Sequence, residues 1–133
     1  MKLDSIEFRG GDAKKVSDVV TRGVNTSIAF TTAEVSGDEL RVGFDYSAMY
    51  APDQSYIRIT GKAVFSGKEA KKAFEEWTKS KKISGETGEY MLNAVNYGAS
   101  MNAVMMAKVF NMAPPIMLPR LTFETVQPVQ KKK

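Results

Sequence analysis

Two groups of side chains in this sequence have the types and spacing that could do chemistry. Glu75 with Glu76, and Glu86 with Glu89, are neighbouring carboxylates of the kind that divide general acid and general base roles. Lys68, Lys71, Lys72, Lys79, Lys81 and Lys82 surround Trp77, an arrangement that could join phosphate contacts to base stacking. Each group also has a plainer reading. The glutamates fall on a solvated helix surface or beside a helix start, where they favour solvation and complement the helix dipole. Glu69, Glu75 and Glu76 interleave with the lysines, and Trp77 lies on an apolar stripe, so a solvated face is favoured over nucleic-acid binding.

The chain has no histidine and no cysteine, which removes the imidazole base, the thiolate metal site, the cysteine nucleophile and the disulfide together. The phosphate-cradling patterns GxGxxG and GxxxxGKS/T and the nucleophile pattern GxSxG do not occur. The expectation is a protein that is not an enzyme and takes no cofactor or metal. Net charge is +4, from 19 basic against 15 acidic residues, and the basic excess includes the terminal Lys131, Lys132 and Lys133. The body is close to balanced, and residues 127–133 read as a polar, lysine-rich tail.

At 133 residues, 43% hydrophobic and 26% charged, the chain has the length and composition of one globular domain, spanning residues 1–126. Its first residues, MKLDSIEFRGGD, lack the apolar run of about 7 to 15 residues that a signal peptide needs. No membrane span is expected, because Asn93, Asn96, Ser100, Asn102 and Lys108 interrupt the best candidate. Without cysteine, nothing requires an oxidising compartment, and the cytoplasm is the expected location.

The first two-thirds of the chain alternates with period two, the signature of strands with one face buried. Ile6 and Phe8 mark a short first strand, and the polar residues 10–23, with Gly10-Gly11, read as a loop. Val24, Thr26, Ile28, Phe30 and Thr32 form one face of a second strand, opposed by Asn25, Ser27, Ala29, Thr31 and Ala33. A turn at Ser36-Gly37-Asp38-Glu39 leads into Leu40, Val42, Phe44, Tyr46, Ala48 and Tyr50, which alternate with Arg41, Gly43, Asp45, Ser47 and Met49. After Ala51-Pro52-Asp53, the residues Ile57, Ile59, Gly61, Ala63 and Phe65 continue the apolar face against Tyr56, Arg58, Thr60 and Lys62. Short links and alternation predict an antiparallel sheet.

The period then becomes helical. Ser66 and Glu69 have the spacing of a capping box, and Ala70, Ala73, Phe74 and Trp77 make one stripe of a surface helix. A second helix is predicted over residues 86–111. It carries one stripe of Leu92, Val95, Ala99, Ala103, Met106 and Phe110, and a neighbouring one of Met91, Ala94, Gly98, Met101, Met105 and Met112. Together these exceed the roughly 100° apolar stripe of a one-sided surface helix, so two faces ask for burial. A single sheet can cover only one. Pro114-Pro115 stops the helix, and Ile116, Met117, Leu118, Pro119, Leu121 and Phe123 follow as an extended apolar segment. The predicted class is α+β: a four-stranded antiparallel sheet, then two helices, then that segment.

The order β-β-β-β-α-α and the run from Phe110 through Pro114-Pro115, Ile116-Met117-Leu118 and Pro119 to Phe123-Glu124 resemble the SecB family of export chaperones, archaeal SecB-like proteins in particular. The resemblance is close over 15 residues, 110–124, and topological over most of the chain. It implies sheet-edge pairing of subunits, a homo-oligomer (dimer or tetramer), and unfolded polypeptide held in apolar grooves without ATP. By position, the crossover between the first two strands would be residues 10–23. The groove-lining helix would be residues 86–112. The net positive charge, with Arg41, Arg58 and Lys62 on wetter strand faces, departs from the acidic bacterial proteins and argues against a SecA-type motor as partner. The helix that follows the aromatic-acid pair in SecB has no counterpart, and the crossover stretch is polar rather than aromatic-rich.

Five of the eight methionines lie between Met91 and Met112 and would supply the adaptable walls that unspecific chain binding needs. The candidate peptide-binding or interface residues are Phe44, Tyr46, Tyr50, Trp77, Met91, Met101, Met105, Phe110 and Met112. Alternatives are a structural or adaptor subunit that uses the second helix for assembly alone, and weak nucleic-acid binding through residues 68–82.

Overall fold

In a computed structural model, residues 1–115 are described. The extended apolar segment expected over residues 116–123 and the tail over 127–133 lie outside the described residues. The elements are β1 (Lys2–Lys14), β2 (Gly23–Ser36), β3 (Glu39–Ala51), β4 (Tyr56–Ser66), α1 (Ala70–Ser80) and α2 (Gly85–Val109). This is the α+β arrangement that the change of period predicts. The strands form one antiparallel sheet in the order β1-β4-β3-β2, so consecutive β1 and β2 stand on opposite edges. Residues 15–22 therefore cross the end of the sheet.

β1 is much longer than the short strand read from Ile6 and Phe8. Gly10 and Gly11 pair with Thr60 and Ile59, and the ladder runs on to Lys14 opposite Tyr56. The glycines mark a register shift after Phe8 and a close approach to the neighbouring strand, not a loop. A Cβ on Gly11 would lie 3.1 Å from the Arg58 carbonyl oxygen. Polar side chains hid the strand because ladder hydrogen bonds are made by backbone.

Gly37, at φ +58°, turns β2 into β3, as the hairpin chemistry requires. In β2 a register shift between Phe30 and Thr32 adds one residue, and beyond it the faces exchange. Thr32, expected beside Phe30, is exposed, while Ala33 and Val35 turn inward against the core. The Thr32 hydroxyl instead accepts a hydrogen bond from the Gly43 amide at 3.1 Å.

Both helices cover the same face of the sheet, α1 over β2 and β3, α2 over β1 and β4. Beneath them, Leu40, Val42, Phe44, Tyr46, Ala48 and Tyr50 of β3 join Ile57, Ile59, Ala63 and Phe65 of β4 in the buried core. Gly61 is the gap that lets the aromatic rings settle. It pairs with Phe8 on one side and Phe44 on the other, and a Cβ there would collide with the Glu7 carbonyl oxygen and come 2.9 Å from Phe44 Cζ. Phe8 and Phe44 meet edge to face, with centroids 6.0 Å apart at 86°.

α1 starts one turn later than a Ser66 capping box would require. Ser66 ends β4, Gly67 bends the chain at φ +152°, and Glu69 is the N-cap without a side-chain cap bond. The Glu69 carboxylate receives the Met1 ammonium at 3.1 Å instead. No helix among the described residues is long and apolar enough to cross a membrane.

Gly61→Ala is expected to lower unfolding stability by about 1–3 kcal/mol, because nothing rigid around it can yield. Gly23→Ala, where an added Cβ meets nothing within 4 Å, should stay within about 0.5 kcal/mol of the parent. Urea unfolding midpoints of the two variants check the contrast.

Candidate interaction surface

α2 has 25 residues. Its inner ridge is Met91, Val95, Ala99, Ala103 and Ala107, at four-residue spacing and all buried. Alanines let the helix lie close to β1 and β4, and Gly98 brings it near Ile6 Cδ1 and Phe8 Cζ, to which a Cβ would stand at 3.3 and 3.4 Å. Two positions along a helix are about 200° around it, so residues two before each inner alanine, and the residue two after Ala107, project away from the sheet. They are apolar too. Tyr97, Met101, Met105 and Val109 are 73%, 57%, 68% and 77% exposed. The half-exposed Tyr90, Leu92 and Phe110 extend the surface toward both ends.

This outer ridge runs beside a groove of about 550 Å³ formed by Met105, Met106, Val109 and Asn102 against Phe8, Arg9, Gly10, Gly11 and Ile59. β1, which forms the groove's other wall, is an edge strand paired only with β4 among the described residues. At its start the Leu3 amide donates to the Tyr90 hydroxyl at 3.0 Å, which blunts that end of the edge. Along Phe8 to Gly11 the edge faces the groove.

The nine residues singled out from sequence divide accordingly. Met101 and Met105 stand one turn apart on the outer ridge, and Phe110 lies at its C-terminal end. Met112 is half-buried and packs on the core. Phe44, Tyr46, Tyr50, Met91 and Trp77 are core residues and offer no surface, a correction to their reading as contact positions. Alternation shows which strand residues share a face, and here both helices cover that face. The stripe that joined Met91 to Met101 and Met105 also splits, since Met91 points into the sheet. Tyr97 and Val109 escaped the sequence reading, although the four-residue spacing Tyr97-Met101-Met105-Val109 was the available signal.

Trp77 is unsuited to stacking on a base. Its side chain is buried, and the Lys81 ammonium covers the ring at 4.0 Å from the centroid. Its Nε1, like the Tyr46 hydroxyl, is buried without a hydrogen-bond partner among the described residues.

The opposite face of the sheet is polar. Around Gly43 it forms a depression of about 600 Å³ edged by Glu7, Arg9, Glu34, Arg41 and Lys62. Ion pairs Arg9–Glu7 at 2.8 Å and Arg41–Glu39 at 2.7 Å leave it with both signs of charge.

The crossover is held at the end of the sheet. The Asp53 carboxylate accepts from the Ser55 amide at 3.0 Å and the Ser17 hydroxyl at 2.8 Å, and Ser55 Oγ accepts from the Val16 amide at 2.9 Å. A cavity of about 290 Å³ remains between this network and residues 111–113. On its wall the Tyr50 hydroxyl donates to the Ala113 carbonyl, tying the chain after α2 to the sheet. Burial, with nearby Tyr46 adding to it, pushes the Tyr50 hydroxyl up to about 12, so it stays a donor over the whole working pH range.

Compared with known proteins, the chain matches no family model, no curated protein and no solved structure.

The Ser55 amide, and next the Ser17 hydroxyl, hold the Asp53 carboxyl below its ordinary value. A depressed acid stabilises the folded form above its unfolded pKa of about 3.9, and that contribution is lost as pH falls through the lower folded value. Hydrogen exchange at Val16 and Ser55 is therefore expected to be slow at pH 6 and to lose protection below about pH 4. In Asp53→Asn this acid step should disappear.

Proposed function

We propose that this chain is a subunit of an ATP-independent chaperone that holds non-native polypeptide, as the SecB-like resemblance implies. The single observation that carries the reading is the uncharged ridge Tyr97-Met101-Met105-Val109 beside the groove along the β1 edge. A contiguous exposed apolar surface marks an interaction site. Methionine adapts to many side-chain shapes. An open strand edge adds backbone hydrogen bonds that do not depend on the partner's sequence. The two features suit an extended, apolar, unspecific client better than one folded partner. The role is one of binding, not chemistry, and the expected location is the cytoplasm. No translocation motor is part of the proposal, because the outer sheet face carries both charge signs.

A second reading has the same support from the ridge: the surface is covered by another copy of the chain, and the protein is an assembly subunit. The two are separated by measuring solution mass together with aggregation of a denatured model client diluted from guanidinium. The chaperone reading expects suppression near equimolar subunits, and Met101→Asp/Met105→Asp should abolish most of it while unfolding stability changes by less than about 1 kcal/mol. A stable oligomer that ignores the client even in excess would overturn the chaperone reading in favour of assembly. A monomer that also ignores the client would overturn both.

A further inference from the structure

The outer ridge has a chemical property that its apolarity alone does not require: its two central residues are thioethers. With no cysteine in the chain, every sulfur is a methionine sulfur. Their environments differ sharply. Met101 and Met105 are 57% and 68% exposed and four residues apart, hence neighbours on one helix face. Met91 is fully buried under the sheet, Met106 and Met112 are half-buried against the core, and Met49 is exposed on the opposite side of the sheet.

We propose that Met101 and Met105 form a paired oxidation site, through which a hydroperoxide converts the α2 ridge from an apolar to a polar surface without unfolding the chain. In each step the thioether sulfur attacks one peroxide oxygen. The S–O bond forms as the O–O bond breaks, and sulfur gives up two electrons. The departing hydroxide, or alkoxide where the oxidant is an organic hydroperoxide, takes the proton of the transferred hydroxyl and leaves as water or alcohol, and methionine sulfoxide remains. The product is polar and a strong hydrogen-bond acceptor. On the ridge that group points into water and disturbs no packing. At Met91 the same group would lie unpaired in the core and destabilise the fold. The structure thus exposes the two ridge sulfurs whose oxidation changes that surface and fully encloses Met91, whose oxidation would threaten stability. The change is reversible by methionine sulfoxide reductases, so it can act as a switch.

The consequence for client holding rests on the proposed function, but the site itself does not. The full-length protein is treated with hydrogen peroxide and mapped by peptide mass spectrometry, with binding of an apolar fluorescent dye followed in parallel. Met101 and Met105 should oxidise at least about tenfold faster than Met91, whose exposure requires local opening. Dye fluorescence should fall by about half or more as these two sulfurs react, with the circular dichroism spectrum unchanged, and return after reductase treatment. In Met101→Leu/Met105→Leu, peroxide should no longer change dye binding, whatever its starting level. Met49→Leu should leave the peroxide response intact.

Equal oxidation rates for Met91 and the ridge pair would overturn the inference, as would a peroxide response that survives in the double leucine variant. If the untreated protein suppresses client aggregation, oxidation should weaken that suppression in parallel with dye loss. If it never suppresses aggregation, the proposed function falls while the dye and mapping results still decide the oxidation site.

Discussion

The inner alanine ridge of α2 lying flat on β1 and β4 is the contact on which the rest of the molecule depends. Small side chains at Ala99, Ala103 and Ala107 let the helix backbone approach the sheet, and Gly98 removes the last obstacle over Ile6 and Phe8. That approach needs a level floor, which Gly61 provides by leaving space for the Phe44 ring between its neighbours. Once the helix is seated, its orientation about its own axis is settled. Every apolar residue offset by two positions then points outward, where the chain supplies tyrosine, methionine and valine instead of charge.

The same seating explains the condition of the β1 edge. An unprotected edge strand invites pairing with other chains. Here one end is closed by the Tyr90 hydroxyl on the Leu3 amide, while the stretch near Gly10 and Gly11 is flanked by Met105, Met106 and Val109. α2 therefore both protects part of the edge and builds a groove along the remainder. At the far end of the sheet a different device operates: Asp53, Ser55 and Ser17 hold the crossover that the 1-4-3-2 strand order makes necessary. Apolar packing arranges one end, polar hydrogen bonding the other.

This division bears on function. The sheet face away from the helices is polar, with Arg9 paired to Glu7 and Arg41 to Glu39, so it stays wetted. No charged residue lies between Tyr90 and Ala107, about five turns of the helix, and the outward ridge within it is apolar. An isolated exposed leucine or methionine needs no explanation, but a continuous ridge beside an open strand edge does. Its proposed occupant is an extended polypeptide, and its methionines give that surface a chemistry beyond simple stickiness.

Much of this was legible in the residues alone. Alternation along Leu40–Tyr50 and Ile57–Phe65 marked the two central strands, Gly37 their hairpin neighbour, and the change to helical spacing after Ser66 both helices. The absence of histidine and cysteine bounded the chemistry. These features are local, because periodicity depends only on how a chain segment repeats. Three things needed the tertiary structure. β1 runs through its glycines because a partner strand supplies the hydrogen bonds. The bulge after Phe30 exchanges the faces of β2 because one extra residue reverses a period of two. And Met91 separates from Met101 and Met105 because a helix apolar on two sides does not itself say which side meets the sheet. That choice belongs to the small residues, which allow close approach where Gly98, Ala99, Ala103 and Ala107 lie.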